Sequence, residues 1–300
     1  MKILKHIIIA VSICVPIFYF CCYNQMRHAE KEKKYNDRLY SFFVAGHVYG
    51  NPSFRRKHKG ANGIYPLFFE RIKQDIKEYH IDFGVFTGDI VYRNTNEEWD
   101  AVEEDINELN RPIYMAPGNH DTARNNLFSI RYSVKGKTYQ SFYYHNDIFI
   151  ILDPNIDGWN ISGEQLKFLK NILSSSQHHK NIFVFFHQIL WWEKDNKYRR
   201  SYMNSKSGRA ENINFWEKIY PLFTSIPNNV YMFAGDSGAA RHSLPTYSQE
   251  KNIHLISSGM GGGVNDNYVL VTIPIDTAKS TEIEFIWLNS RNGLKNYSPY

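Results

Sequence analysis

Short apolar runs that break abruptly into glycine and a polar cluster recur along this chain. The run at 39–45 leads into FVAGHVYG, Phe43 to Gly50, and the run at 82–87 leads into FTGDIVY. The run at 112–116 ends in APGNHD, that at 181–186 in FVFFHQ, and that at 229–233 in VYMFAGDSG. Runs of this length and apolar content predict buried strands. Between them lie stretches of helical period: 64–79, with Leu67, Phe68, Ile72 and Ile76 apolar, and 97–109, with Trp99, Val102, Ile106 and Leu109 on one side. Helices are also predicted at 163–173 and 215–223. The segment 141–153 predicts a hairpin turning at His145-Asn146-Asp147, and further strands are predicted at 253–257, 267–274 and 281–288. Strand–helix alternation followed by strand-rich sequence predicts an α/β domain whose sheets are covered by helices.

The first residues read differently. Residues 7–26 carry no charge, about the length that crosses a bilayer. No small-residue cleavage signal comes after them, so an uncleaved signal anchor is the first reading and a cleaved signal peptide the second. The predicted organisation is a transmembrane helix at 1–26, a charged tether at 27–38, a main domain at 39–290 and a tail at 291–300. Lysines and arginines flank the span on both sides; N-terminal anchors usually export the chain on their carboxyl side, which places the domain extracytoplasmically.

Composition narrows the chemistry. All three cysteines, Cys14, Cys21 and Cys22, precede the main domain, which excludes a thiolate metal site, a cysteine nucleophile and a disulfide within it. A net charge of +5 over 300 residues is compatible with an anionic substrate but falls short of a nucleic-acid-coating protein. Any metal must be held by His, Asp, Asn or Tyr.

Each of the five runs named first delivers such a residue at its end: His47 and Tyr49, then Asp89, then Asn119, His120 and Asp121, then His187, then Asp236. The carboxyl ends of strands are where α/β sheets place their sites. A Gly-Asp pair alone is more often a turn, and a strand-ending His alone more often a structural one. Gly-Asn-His-Asp is more specific, because four small or ligating residues in a row serve no core.

The ordered set of five resembles the calcineurin-like metallophosphoesterase family, over roughly residues 40–290. The stretch LDPNIDGWNISGEQLKFLKNIL and the turn ISSGMGGG fit the resemblance, and Tyr92, three residues after Asp89, matches the spacing of purple acid phosphatases. The resemblance implies a β-sandwich of two mixed sheets flanked by helices. It also implies a site for divalent Zn, Mn or Fe, and hydrolysis of a phosphate ester by metal-bound hydroxide. Asp89, Asn119 and His187 stand as in the family, as does His120 in the place of the catalytic histidine, with Asp121 beside it to orient its ring or merely to cap the next turn. The first and fifth motifs depart from the family: His47 replaces an Asp, Tyr49 a His, Asp236 one His and Gly238 another. Asp89, Asn119, His187 and Asp236 make one full ligand set. His47, with Tyr49 or Tyr92, makes a thin second one, so one metal is expected and two are allowed. The alternative is an inactive binding or scaffolding protein on the same fold.

Substrate cues are sparser. Arg55 and Arg56 lie in a basic loop just past the first motif, suited to a phosphorylated small molecule, lipid or glycan, or simply to solvent. Trp191 and Trp192 come after His187 and suit a sugar face, a membrane interface or the base of the domain. His242 lies six residues past Asp236, either a substitute ligand or a surface residue.

Overall fold

The structure, a computed structural model, describes residues 37–51, 63–201, 203–239 and 243–289. The expected membrane span, nearly all of the tether, the C-terminal tail, Arg55, Arg56 and His242 lie outside the described residues. Among the described residues no helix is long and apolar enough to cross a membrane.

Eleven strands are described: β1 (Arg38–Ala45), β2 (Phe83–Thr87), β3 (Ile113–Ala116), β4 (Gln140–Tyr144), β5 (Asp147–Ile151), β6 (Asn181–Phe186), β7 (Asn229–Ala234), β8 (Thr246–Glu250), β9 (Ile253–Ser257), β10 (Asn267–Pro274) and β11 (Glu282–Trp287). They form a five-stranded sheet ordered β11-β10-β1-β2-β3 and a six-stranded sheet ordered β4-β5-β6-β7-β9-β8. Strands β1, β2 and β3 run parallel, as do β5, β6, β7 and β9, while β4 and β8 are antiparallel edges. The sequence expectation of two mixed sheets with helices agrees with this architecture. Two compact units are distinguished. The larger comprises Ser41–Val271 with the chain from Ile283 onward. In the smaller, which takes in Thr272–Glu282, the amide of Ile275 donates to the carbonyl of Asp37 at 2.8 Å.

Period-two alternation explains the layers of the larger unit. On β1, Phe42 packs against Phe149 and Phe183 of the other sheet, at 5.4 and 5.1 Å between ring centroids. On β2, Phe83 meets Phe142 and Phe149 in the same way. This aromatic layer joins the sheets face to face. The alternate residues point outward to helices: Phe43 and Phe86 into a cluster with α1 (Pro66–Glu78) and α2 (Asn96–Leu109), and Ile182, Val184 and Met232 into one with α5 (Gly163–Ser174). Two short helices, α3 (Asn119–Thr122) and α4 (Leu127–Tyr132), come after β3.

Thr95 caps α2, its hydroxyl accepting from the amide of Glu98, and Asn110 ends it in the left-handed region. The hairpin turn puts Tyr144 opposite Asp147, with His145 at a φ of 50°. The helix predicted at 215–223 is instead a π-turn, Phe215–Ile219, running into α6 (Tyr220–Thr224). Pro221 has no N–H to give, so the regular ladder breaks there. Strand β8, TYSQE, is too polar to be predicted, being a half-exposed edge.

Candidate active site

The parallel strands set the site. Because β1–β3 run one way within their sheet and β5–β7 with β9 one way in theirs, the polar residues just past them gather at strand carboxyl ends. The loops there meet backbone to backbone. The amide of His47 donates to Gly88 O at 3.0 Å and that of Tyr49 to Asp89 O at 3.3 Å. A Cβ on Gly235 would stand 1.9 Å from Thr87 O, and one on Gly118 would stand 2.2 Å from Asp89 N. Only glycine permits these approaches.

Asp89 comes directly after Gly88, and both lie in the left-handed region, at φ of 52° and 81°. Its carboxylate is 2% exposed. Oδ1 accepts the His120 amide at 3.0 Å and faces His187 Nε2 at 3.4 Å, while Oδ2 faces His47 Nε2 at 3.7 Å. His187 directly follows β6, fully buried, and its Nδ1 donates to Thr87 O at 2.9 Å. A carbonyl only accepts, so the bond puts the proton on Nδ1 and aims Nε2 inward. Nε2 also lies 3.8 Å from Asp236 Oδ1. Among the described residues, neither His187 Nε2 nor Asp236 Oδ1 has a hydrogen-bond partner, and His47 Nδ1 is likewise unpartnered.

These orphaned buried donors fit a cation. Two donors about 2.1 Å from one tetrahedral ion stand about 3.4 Å apart, close to the separations just given. Among the described residues no group of three or more His, Asp or Glu side chains stands close enough together to hold a metal ion as it is; the donors face one another in pairs. The electrostatics point the same way. Burial alone would lower the His187 imidazole, yet Asp89 and Asp236 outweigh it and push it up to about 10, so the pocket favours positive charge between the two carboxylates. Burial works to raise Asp89, but His187 and His47 hold it below the ordinary carboxylate range. For Asp236 burial prevails and moves it up to about 7. His47, stripped of water, falls to about 4 and is a neutral lone-pair donor.

His120 opens on a cavity of about 460 Å³ that Asn119 and Tyr92 also line. Its Nδ1 lies 2.8 Å from Tyr92 O, and its ring stacks on Tyr92 at 5.6 Å and 25°. Tyr49 packs against His47 and His120, at 4.3 and 5.2 Å between centroids. Burial and the nearby carboxylates raise the Tyr49 hydroxyl above its ordinary value, which makes it a neutral phenol and a poor ligand for a divalent ion.

Two expected roles change. Asp121 does not reach the His120 ring: its Oδ1 accepts from the amides of Ile90 and Val91 at 2.8 and 3.0 Å, and its Oδ2 from Gly118 at 2.8 Å. It clamps the Asp89 loop to the turn that carries His120. Trp191 is fully buried in the core against Phe186 and Phe215, so it offers no face to a substrate. Trp192 is partly exposed and lines a separate cavity with Lys206 and Arg209; Lys206 Nζ stands 4.0 Å from its ring centroid.

The sequence reading missed the segment 204–207. The amide of Asn204 donates to Asp236 O at 3.0 Å, that of Ser205 approaches Asp236 Oδ2 at 3.4 Å, and Ser207 lines the His120 cavity. Nothing in NSKS marks it as part of a site; only its proximity across 31 residues does.

A sequence profile of the calcineurin-like phosphoesterases matches residues 57–220. A probable glycerophosphodiester phosphodiesterase, GpdQ, of Arcobacter nitrofigilis is 48% identical over 44 residues, a stretch covering 15% of this chain and 16% of that protein. Among solved structures, purple acid phosphatase PPD1 from yellow lupin seeds is similar with a TM-score of 0.59 at 15% identity, covering 85% of this chain and 52% of that one, and so shares the fold. A putative 5′-nucleotidase from Staphylococcus aureus has a TM-score of 0.45 at 13% identity, with 82% and 52% covered. The chain thus spans about half the length of these two solved relatives.

Proposed function

We propose that this chain, which belongs to the calcineurin-like phosphoesterase family, is a metal-dependent hydrolase of phosphate esters. The observation that carries this reading is His187, whose Nδ1 is committed to Thr87 O while its unpartnered Nε2 faces Asp89 and Asp236. Asp89, His187 and Asp236 would hold a divalent Zn, Mn or Fe ion, with Asn119 and His47 as further donors. Such an ion polarises a phosphoryl oxygen and lowers the pKa of water from 15.7 to about 7.

The chain's own groups do the rest. Asp236 is steadied by the backbone of 204–205, its carbonyl by the Asn204 amide and its carboxylate by that of Ser205. His120 is held in place by Tyr92 O at Nδ1 and by the faces of Tyr92 and Tyr49, which leaves Nε2 to give a proton to the departing alkoxide. The substrate is a phosphorylated small molecule; the curated relative's name, a glycerophosphodiester phosphodiesterase, supports a diester among the candidates. The uncharged stretch at 7–26 supports a membrane anchor with the domain extracytoplasmic, which brings phosphorylated lipids and glycans within reach.

A second reading, a binding protein that has lost catalysis, draws on Gly238. It has no side chain to offer, and even a Cβ there would stand 2.6 Å from the backbone of Gly259 and Met260. Elemental analysis of the full chain, with phosphate-ester hydrolysis under Zn, Mn and Fe in turn, separates the two. About one metal per chain, lost with activity in Asp236→Ala, is the expected result. No metal retained under any ion would sink the hydrolase.

A further inference from the structure

Four residues past His120 the chain makes a turn that the chemistry above does not use. Arg124 has a φ of 69°, and across it the amide of Asn125 donates to Ala123 O at 2.9 Å. A three-residue turn closed with positive φ at its centre is the rare and strained γ-turn. The surroundings over-determine it. Asn94 Nδ2 donates to Ala123 O at 3.0 Å and to Asn125 O at 3.4 Å, and Asn125 Nδ2 returns a bond to Asn94 O at 2.7 Å. Asn94 is itself buried, and its Oδ1 accepts from Trp99 Nε1 at 2.8 Å. Strain held this firmly persists where it positions something.

Here it positions charge. Arg71, Arg93, Arg111, Arg131 and Arg209 each have an ion pair or a hydrogen bond from the side chain. Arg124 is exposed and has neither among the described residues. It lines the 460 Å³ cavity with Tyr92, Asn94, Asn119, His120 and Ser207, and among the described residues no lining residue is a carboxylate. The other arginine in that wall, Arg93, is paired with Glu98 at 2.7 Å. An unpaired guanidinium therefore shares one cavity with the imidazole that faces the leaving oxygen.

The geometry points to Arg124 as the receptor for an anionic group on the leaving alcohol, so that the preferred substrates are phosphate esters whose alcohol part bears its own carboxylate or phosphate. The inference rests on the hydrolase reading, because His120 as proton donor fixes the side on which the alcohol departs. The guanidinium fork suits either oxyanion. A charge-assisted hydrogen bond of this kind is worth about 10- to 100-fold in affinity.

The test compares three esters on the full chain: phenyl phosphate, and phenyl phosphates carrying a carboxylate or a second phosphate on the ring. Initial rates are measured with metal, and calorimetric binding without it. The wild-type chain is expected to favour the charged esters over phenyl phosphate by about 10- to 100-fold, and Arg124→Gln to collapse that ratio mainly through KM. Arg124→Gly, which relieves the positive φ, is expected to collapse the ratio while raising Tm; a merely structural arginine would not separate the two. The anion whose ratio falls further is the one recognised. No preference in the wild-type chain, or a preference that survives both variants, overturns the inference. Arg124-dependent binding without hydrolysis of any ester would leave the subsite standing and remove the hydrolase instead.

Discussion

His187 and Thr87 tie the two sheets together at the site, Nδ1 of one donating to the carbonyl of the other across 2.9 Å. The bond fixes the tautomer and the ring plane at once, and it uses a main-chain acceptor that no side-chain substitution removes. Position 187 is thus a joint of the fold and, in the reading proposed above, a ligand as well.

His187→Ala should therefore fail in two ways. Without metal, removing the cation between Asp89 and Asp236 breaks a buried charge arrangement, a change that costs about 3–5 kcal/mol. Urea unfolding of metal-free protein reads this loss, and elemental analysis reads the accompanying loss of metal. Unchanged stability would mean that the imidazole is not bridging the carboxylates.

His120 and Asp121 should separate by readout. His120→Gln is expected to lower kcat by about 10²- to 10⁴-fold with metal content intact. Asp121→Asn should act first on stability, by about 1–3 kcal/mol, since it disturbs a carboxylate accepting three buried amides. A kcat loss in Asp121→Asn as deep as in His120→Gln, at unchanged Tm, would return Asp121 to the chemistry.

Gly238→His, which supplies the residue type that the family resemblance leads one to expect there, should not restore a metal. The position has a φ of 98°, and its Cβ would meet the Gly259–Met260 backbone at 2.6 Å. Left-handed strain and overpacking together cost about 2–5 kcal/mol. A thermal melt and metal analysis check this; a stable variant with an added equivalent of metal would refute it.

Stability should fall in mild acid through His254. Burial lowers its imidazole from 6.5 to about 4, where it stacks on Tyr231 at 4.4 Å and meets the Tyr247 hydroxyl at 2.6 Å. The unfolded chain takes up this proton first, so the contribution is present above pH 6.5 and drains away as pH falls toward 4. His254→Phe should show a shallower decline than wild type in Tm measured from about pH 7 to about pH 5. Parallel curves would show that His254 titrates alike in both states.

The strands that carry the site were legible because they are apolar runs closed by glycine and a ligand-type residue. For Asn181–Phe186, Ile253–Ser257 and Asn267–Pro274, expectation and structure agree to the residue. The features that stayed hidden depend on distance along the chain. The amides that occupy Asp121 lie as far as 31 residues away, and Asn94 reaches Ala123 across 29. Trp191 and Trp192 are alike in sequence, yet one fills the core and the other faces a cavity, because they leave a turn, closed by the Trp192 amide on Ile189 O, that carries them to different sides.

The glycine contacts at the strand ends have a consequence for anyone redesigning this centre. Where Gly118 abuts Asp89 and Gly235 abuts Thr87 without room for a methyl group, the loops cannot be lengthened or re-aimed piecemeal. A library that varies positions 47, 49 and 236 samples new metals and reactions on a fixed chassis; one that varies 88, 118 or 235 samples mostly misfolded protein.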